Sequence, residues 1–151
     1  MKTKRGYFGI GIENGKTLSN LGTLWRSANI LDASFIFTTG KRYAAQASDT
    51  LKTPRHIPLN HYTDFSDMYN HLPHDCQLVG VELVEASVSL PTFKHPERAV
   101  YLLGAEDHGL SADALKRCHR IIQIPTAKAV SLNVAVAGSL VMYDRFAKEN
   151  R

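Results

Sequence analysis

Cysteine is scarce in this 151-residue chain: Cys76 and Cys118 are the only two, and neither belongs to a CxxC pair. Two thiols so placed provide no disulfide framework and no zinc signature, so both are expected to be reduced. Long apolar runs are missing too. No stretch approaches the roughly 18 residues of a membrane helix, and the opening MKTKRGYFGIGIENG lacks the apolar region and small-residue cleavage site of a secretion signal. A cytoplasmic protein with no membrane association is expected. Repeats, linkers and low-complexity tracts are also lacking, while 44% hydrophobic and 21% charged residues are ordinary globular usage. The expectation is a single folded domain over residues 1–151. Lys and Arg exceed Asp and Glu by 18 to 14, a net charge of +4 that favours polyanionic partners without identifying one.

Short aromatic and β-branched runs ending in turn residues predict five strands: YFGIGIEN (7–14), ASFIFTTG (33–40), QLVGVEL (77–83), AVYLLG (99–104) and RIIQIP (120–125). Helical spacing predicts helices at NLGTLWRSANIL (20–31), DFSDMYNHL (64–72), SADALKRC (111–118) and the long segment from Ser131 to Asn150. This alternation, with strands too apolar to face water on one side, implies an α/β fold with a mostly parallel sheet covered by helices on both faces. Ligands on such sheets sit at the carboxyl ends of the strands. The basic segment at 40–56 has no clear period and is expected to be a long loop.

Two tempting motifs do not hold up. GIENGKT (11–17) suggests a phosphate-binding loop, but that loop needs four residues between its glycines; Gly11 to Gly15 leaves three and Gly9 to Gly15 leaves five. His71, His74 and Cys76 suggest metal ligands, yet no second cluster completes them, so no metal is expected.

Three polar clusters remain, each with a plain structural reading beside a functional one. In SNLGTLWRSANILDA, Asn20, Gly22 and Arg26 group an amide and a cation near one helix face; equally, Asn20 or Ser19 caps the helix and Arg26 is solvated. In YLLGAEDHGLS, an apolar strand delivers Gly104, Glu106 and Gly109 into a turn where a ligand can approach the backbone, or which merely links strand to helix. In VSLNVAVAGSL, a core helix opens with Ser131, a candidate cap, and Asn133, an amide that must find partners if buried.

In this order, the three stretches resemble the signature motifs of the SpoU (TrmH-like) branch of the SPOUT RNA methyltransferases. The first, N-x-G-x-x-x-R-x-A, stands as Asn20, Gly22, Arg26 and Ala28; the second, G-x-E-x-x-G-L, as Gly104, Glu106, Gly109 and Leu110. The third, I-P then S-L-N-V, stands as Ile124, Pro125, Ser131, Leu132, Asn133 and Val134. It departs from the usual form in having five residues, none of them glycine, between Pro125 and Ser131, and Ala135 at a position where serine is common.

The resemblance implies a SPOUT fold with a deep C-terminal trefoil knot, S-adenosylmethionine as cofactor, a homodimer, and methylation of a ribose 2′-oxygen in tRNA or rRNA. It implies Leu83, Leu103, Gly104, Glu106, Ile124, Ser131 and Leu132 at the cofactor. Arg26 would act at the nucleophile, with Asn20, Glu106, Ser131 and Asn133 orienting it, the ribose or the cofactor's methionine moiety. With no separate RNA-binding domain expected, RNA would then meet Arg26 and the basic loop residues Lys41, Arg42, Tyr43, Lys52 and Arg55. The rival expectation is a non-catalytic RNA-binding module that retains the fold; a nucleotide-hydrolysing enzyme would depend on the defective glycine loop.

Overall fold

The computed structural model describes residues 6–40 and 57–150. Seven strands form one sheet: β1 (Tyr7–Glu13), β2 (Phe35–Thr39), β3 (Leu59–Tyr62), β4 (Gln77–Val81), β5 (Val88–Ser89), β6 (Arg98–Leu103) and β7 (Arg120–Gln123). Among the described residues four α-helices lie between or after them: α1 (Leu18–Ile30), α2 (Phe65–Asn70), α3 (Ala112–Arg117) and α4 (Val134–Glu149). The strand order is β3-β2-β1-β6-β4-β7-β5, and every pairing between these strands is parallel.

Period-two alternation along the central strands divides the core into two layers. Ala99, Tyr101 and Leu103 of β6 join Ile10 and Ile12 of β1 under α1 and α4, where Leu21, Leu24, Ala28, Val141 and Met142 are buried. Val100 and Leu102 point the other way, towards Phe65 and Met68 of α2 and Ala114 of α3. Both faces are thereby covered, which is why these strands read as nearly continuous apolar runs. Helix α4 packs tightly because Gly138 has no side chain; a Cβ there would run into Leu24, Leu103 and Ile10.

The five predicted strands are present, four of them shorter and the fourth in order shifted one residue earlier to Arg98–Leu103, and two more were missed. β3 reads LNHY, with exposed Asn60 and His61 on an edge strand, and β5 is two residues long; neither leaves a hydrophobic period to detect. α1 begins at Leu18 with Thr17 at the capping position, so Asn20 belongs to the first turn instead of capping it. The segment 41–56 lies outside the described residues. Among the described residues no helix is long and apolar enough to cross a membrane.

The order of chain insertion shapes one side of the sheet. β6 enters between β1 and β4, and β7 enters between β4 and β5, so late strands occupy gaps left by earlier ones. The carboxyl ends of β1, β4, β6 and β7 therefore release four loops on that side.

Candidate functional site

Three of those loops line a cavity of about 530 Å³: the segment after β4, the β6–α3 loop and the β7–α4 connection. Leu83, Leu103, Gly104, Glu106, Ile124, Ser131 and Leu132 all line it, so the residues expected at a cofactor from three separate segments share one wall. Much of that wall is apolar, with Val81, Leu110 and Val134 adding to Leu103, Ile124 and Leu132.

The β6–α3 loop is held in shape from several directions. Gly109 adopts φ +66°, a left-handed conformation that glycine takes without strain, and its N–H closes the turn onto the Ala105 carbonyl at 2.9 Å. Gly104 has no room for a side chain, because a Cβ would strike the backbone of Gly109 and Leu110. Glu82, just past β4, accepts from Leu110 N–H at 2.8 Å and from Leu83 N–H at 3.1 Å. Glu13, the last residue of β1 and 2% exposed, accepts from both the N–H and the hydroxyl of Ser111, each at 2.7 Å. Ser111 Oγ in turn caps α3 by accepting from Ala114 N–H. Lys16 pairs with Asp107, and this hydrogen bond holds the Asp107 carboxyl below the usual carboxylate range.

At the edge of the cavity three polar side chains join in a line. Asn133 Nδ2 donates to Asn20 Oδ1 at 3.0 Å, and Asn20 Nδ2 donates to Glu106 Oε1 at 2.6 Å. The direction is fixed by the helix: Asn133 Oδ1 already accepts from Ala135 and Val136 N–H, so only its amide group can face Asn20. The expectation that Ser131 caps α4 is thus corrected. Asn133 is the cap, because α4 starts at Val134 and the Asn133 carbonyl oxygen reaches the second and third helical N–H groups. Asn133 is exposed rather than buried, and the polar opening of this core helix is a cap shared with a second motif.

Arg26 stands apart from this line. It lies six residues beyond Asn20 on α1, exposed and outside the cavity wall, and no hydrogen bond or ion pair joins it to a described residue. Lys41, Arg42, Tyr43, Lys52 and Arg55 lie outside the described residues. Of the metal-like cluster, Cys76 is buried in the core with its thiol pushed up to about 11 by desolvation, while His71 stacks on Tyr62.

The residues that sequence reasoning missed are Glu13 and Glu82. Both are single carboxylates at the carboxyl end of an apolar strand, in GIGIEN and LVGVEL. A charged residue ending a buried parallel strand, where such sheets bind ligands, is the signal that marks them.

The comparisons with known proteins agree with this geometry. An uncharacterized tRNA/rRNA methyltransferase of Archaeoglobus fulgidus is 26% identical over 149 residues, covering 91% of this chain and 63% of the relative. The SpoU methyltransferase AviRb from Streptomyces viridochromogenes, in complex with the cofactor AdoMet, superposes with a TM-score of 0.85 at 20% identity, over 99% of this chain and 60% of that one. A chain from a structural study of the 2-OH methylation of C/U34 on tRNA superposes with a TM-score of 0.84 at 21% identity, covering 99% of this chain and 94% of its own. These structural likenesses establish a shared fold, and the chain spans about 63% of the length of the Archaeoglobus relative. The SpoU rRNA Methylase family profile matches residues 8–143, nearly the full length, with all three polar clusters inside the match, and the chain belongs to that family.

Proposed function

We propose that this chain is an S-adenosylmethionine-dependent methyltransferase acting on a ribose 2′-oxygen of tRNA or rRNA. The observation that carries this reading is the line Asn133–Asn20–Glu106, which ties three distant segments together beside a cavity walled by all seven residues expected at the cofactor. The cavity fits the cofactor: its volume lies within the range of roughly 300–1,000 Å³ typical of small-molecule sites. Its apolar side chains suit a purine ring, and the carboxylates of Glu82 and Glu106 suit a cationic ligand. S-adenosylmethionine supplies, when bound, an electrophilic methyl group on a sulfonium centre.

The chain's own task is to position an alcohol and manage its proton. Positioning alone contributes about 7–11 kcal/mol in well-oriented reactions. Arg26, with a guanidinium pKa above about 12, is a poor base, so its role is to stabilise the developing alkoxide or to hand the proton towards an RNA phosphate. Asn20, Glu106, Ser131 and Asn133 orient the ribose or the methionine moiety. Lys41, Arg42, Tyr43, Lys52 and Arg55 meet the RNA backbone and a base.

Two architectural features complete the proposal. The insertion of β7 between β4 and β5, followed by the return of α4 against β6, supports a trefoil-knotted C-terminal part. Val136, Leu140, Tyr143 and Phe146 are 43–59% exposed along α4, with the Tyr143 and Phe146 rings 6.1 Å apart, and this apolar stripe supports a homodimer packed on that helix. Leu140→Asp is expected to yield a monomer in sedimentation experiments; an unchanged dimer would place the contact elsewhere.

The activity test is transfer of labelled methyl from S-adenosylmethionine to bulk tRNA and rRNA, followed by alkaline hydrolysis. A 2′-O-methyl group blocks cleavage, so label is expected in alkali-resistant dinucleotides. Label confined to mononucleotides would move the chemistry to a base, and RNA binding without any transfer would favour the non-catalytic module.

A further inference from the structure

Glu82 follows β4 directly, and this half-buried residue lines the cavity. Its two oxygens are fixed by backbone donors from different segments, Oε1 by Leu83 N–H and Oε2 by Leu110 N–H. An ionised carboxylate accepts on both sides; an amide can accept on only one. The group is held in place as a negative charge.

Of the other two carboxylates lining the cavity, Asp107 is matched by a cation and Glu106 is met only by a neutral amide. Asp107 pairs with Lys16 and lies 3.0 Å from His108, while Glu106 takes the Asn20 amide. Among the described residues that line the cavity there is no Lys or Arg, and no ion pair reaches Glu82. A carboxylate anchored by N–H groups, uncompensated by a cation and set in a partly desolvated wall, favours a positively charged occupant.

We propose that Glu82 is a specificity-determining residue by which this cavity prefers the cationic sulfonium ligand to the neutral thioether left after methyl transfer. Glu82 thus favours departure of S-adenosylhomocysteine and entry of fresh S-adenosylmethionine. The inference rests on reading the cavity as the S-adenosylmethionine site, and the test separates the two.

The experiment is calorimetric titration of the full chain with S-adenosylmethionine, S-adenosylhomocysteine and sinefungin, which carries a protonated amine in place of the sulfonium. Wild type is expected to bind both cationic ligands more tightly than the thioether. Glu82→Gln, which removes the charge together with one of the two backbone hydrogen bonds, is expected to reduce that preference roughly tenfold. The lost hydrogen bond weakens all three ligands alike, so the preference is read as the ratio of affinities, with S-adenosylhomocysteine losing less than either cationic ligand. Glu82→Asp retains the charge and should retain most of the preference. Parallel weakening of all three ligands in Glu82→Gln, with the ratio intact, overturns the proposal and leaves Glu82 a loop clamp only. If wild type binds none of the three, the reading of the cavity fails first and the proposal with it. Should Glu82→Gln not fold by circular dichroism, the wild-type comparison decides: sinefungin binding no more tightly than the thioether overturns the proposal, and tighter binding supports it.

Discussion

Helix α4 is tied to distant parts of the chain at both ends, but the two ties differ in kind. At its N-terminal end the amides of Asn133 and Asn20 and the Glu106 carboxylate meet at the surface. Towards its C-terminal end Arg145, 1% exposed, donates to the carbonyls of Pro96 and Glu97 and to the Tyr101 hydroxyl, at 2.7, 2.9 and 3.1 Å. Lys148 donates to the Leu90 and Phe93 carbonyls at 2.7 and 2.8 Å, and His95 bridges the Tyr101 hydroxyl and Asp144, both at 2.7 Å. In the largely buried network, water replaces a lost partner poorly, so losing a group costs stability. In the exposed line water can do so at small cost, and stability gives little reason for three polar side chains to align. Alignment there suits a ligand.

Two arginines should separate most widely. Arg26→Ala is expected to lower single-turnover methyl transfer by about 10²–10³-fold, the scale of losing one transition-state charge stabiliser. Its cofactor affinity should stay within about threefold and its stability within about 0.5 kcal/mol. Retained turnover would remove Arg26 from the chemistry. Arg145→Met should do the reverse, costing about 3 kcal/mol or more in denaturant unfolding while leaving transfer per folded molecule near wild type. A small stability change would mean that the buried network is not what holds α4 to the sheet.

Asn133→Ala tests the contrast more finely because Asn133 belongs to both worlds. Losing the cap should cost about 1 kcal/mol of stability, and losing the link to Asn20 should weaken transfer by more than that figure explains. If transfer falls only as far as the folded fraction falls, Asn133 is a cap and nothing more.

The smallest effect is in pH. Burial pushes the His95 imidazole below its ordinary value of 6.5, against the pull of Asp144. Arg145 and Lys148 also disfavour its charged form. A folded-state value below the unfolded one means that the unfolded chain takes up the proton first. The His95 contribution is therefore complete above about pH 6.5 and declines as pH falls below it. Melting temperature should drop from pH 7.5 to 5.5 in wild type, and the drop should be shallower in His95→Asn; equal slopes would remove His95 as the cause.

How far the sequence could be read depended on whether a feature was local. The five apolar strands and the helices announced themselves through period and apolarity, and the parallel α/β class followed from their alternation. β3 and β5 did not, since an exposed edge strand such as LNHY and a two-residue strand owe their existence to neighbours already in place. Within the site, motif spacing pointed to Asn20, Glu106 and Asn133, but the order in which they bond depends on where α4 begins. Moving its start to Val134 changed Asn133 from a buried amide into a shared cap. The Arg145 network was illegible for the same reason: its acceptors are the backbone carbonyls of Pro96 and Glu97, which carry no residue-type signature.

The claim that three segments far apart in the chain form one working site is tested most directly by a double-mutant cycle on Asn20→Ala and Glu106→Ala, read in the rate of methyl transfer. The 2.6 Å contact between these side chains predicts a coupling of at least about 0.5 kcal/mol, with the double variant little worse than the more damaging single one. Strictly additive losses would mean that the two residues act independently, and would contradict the account.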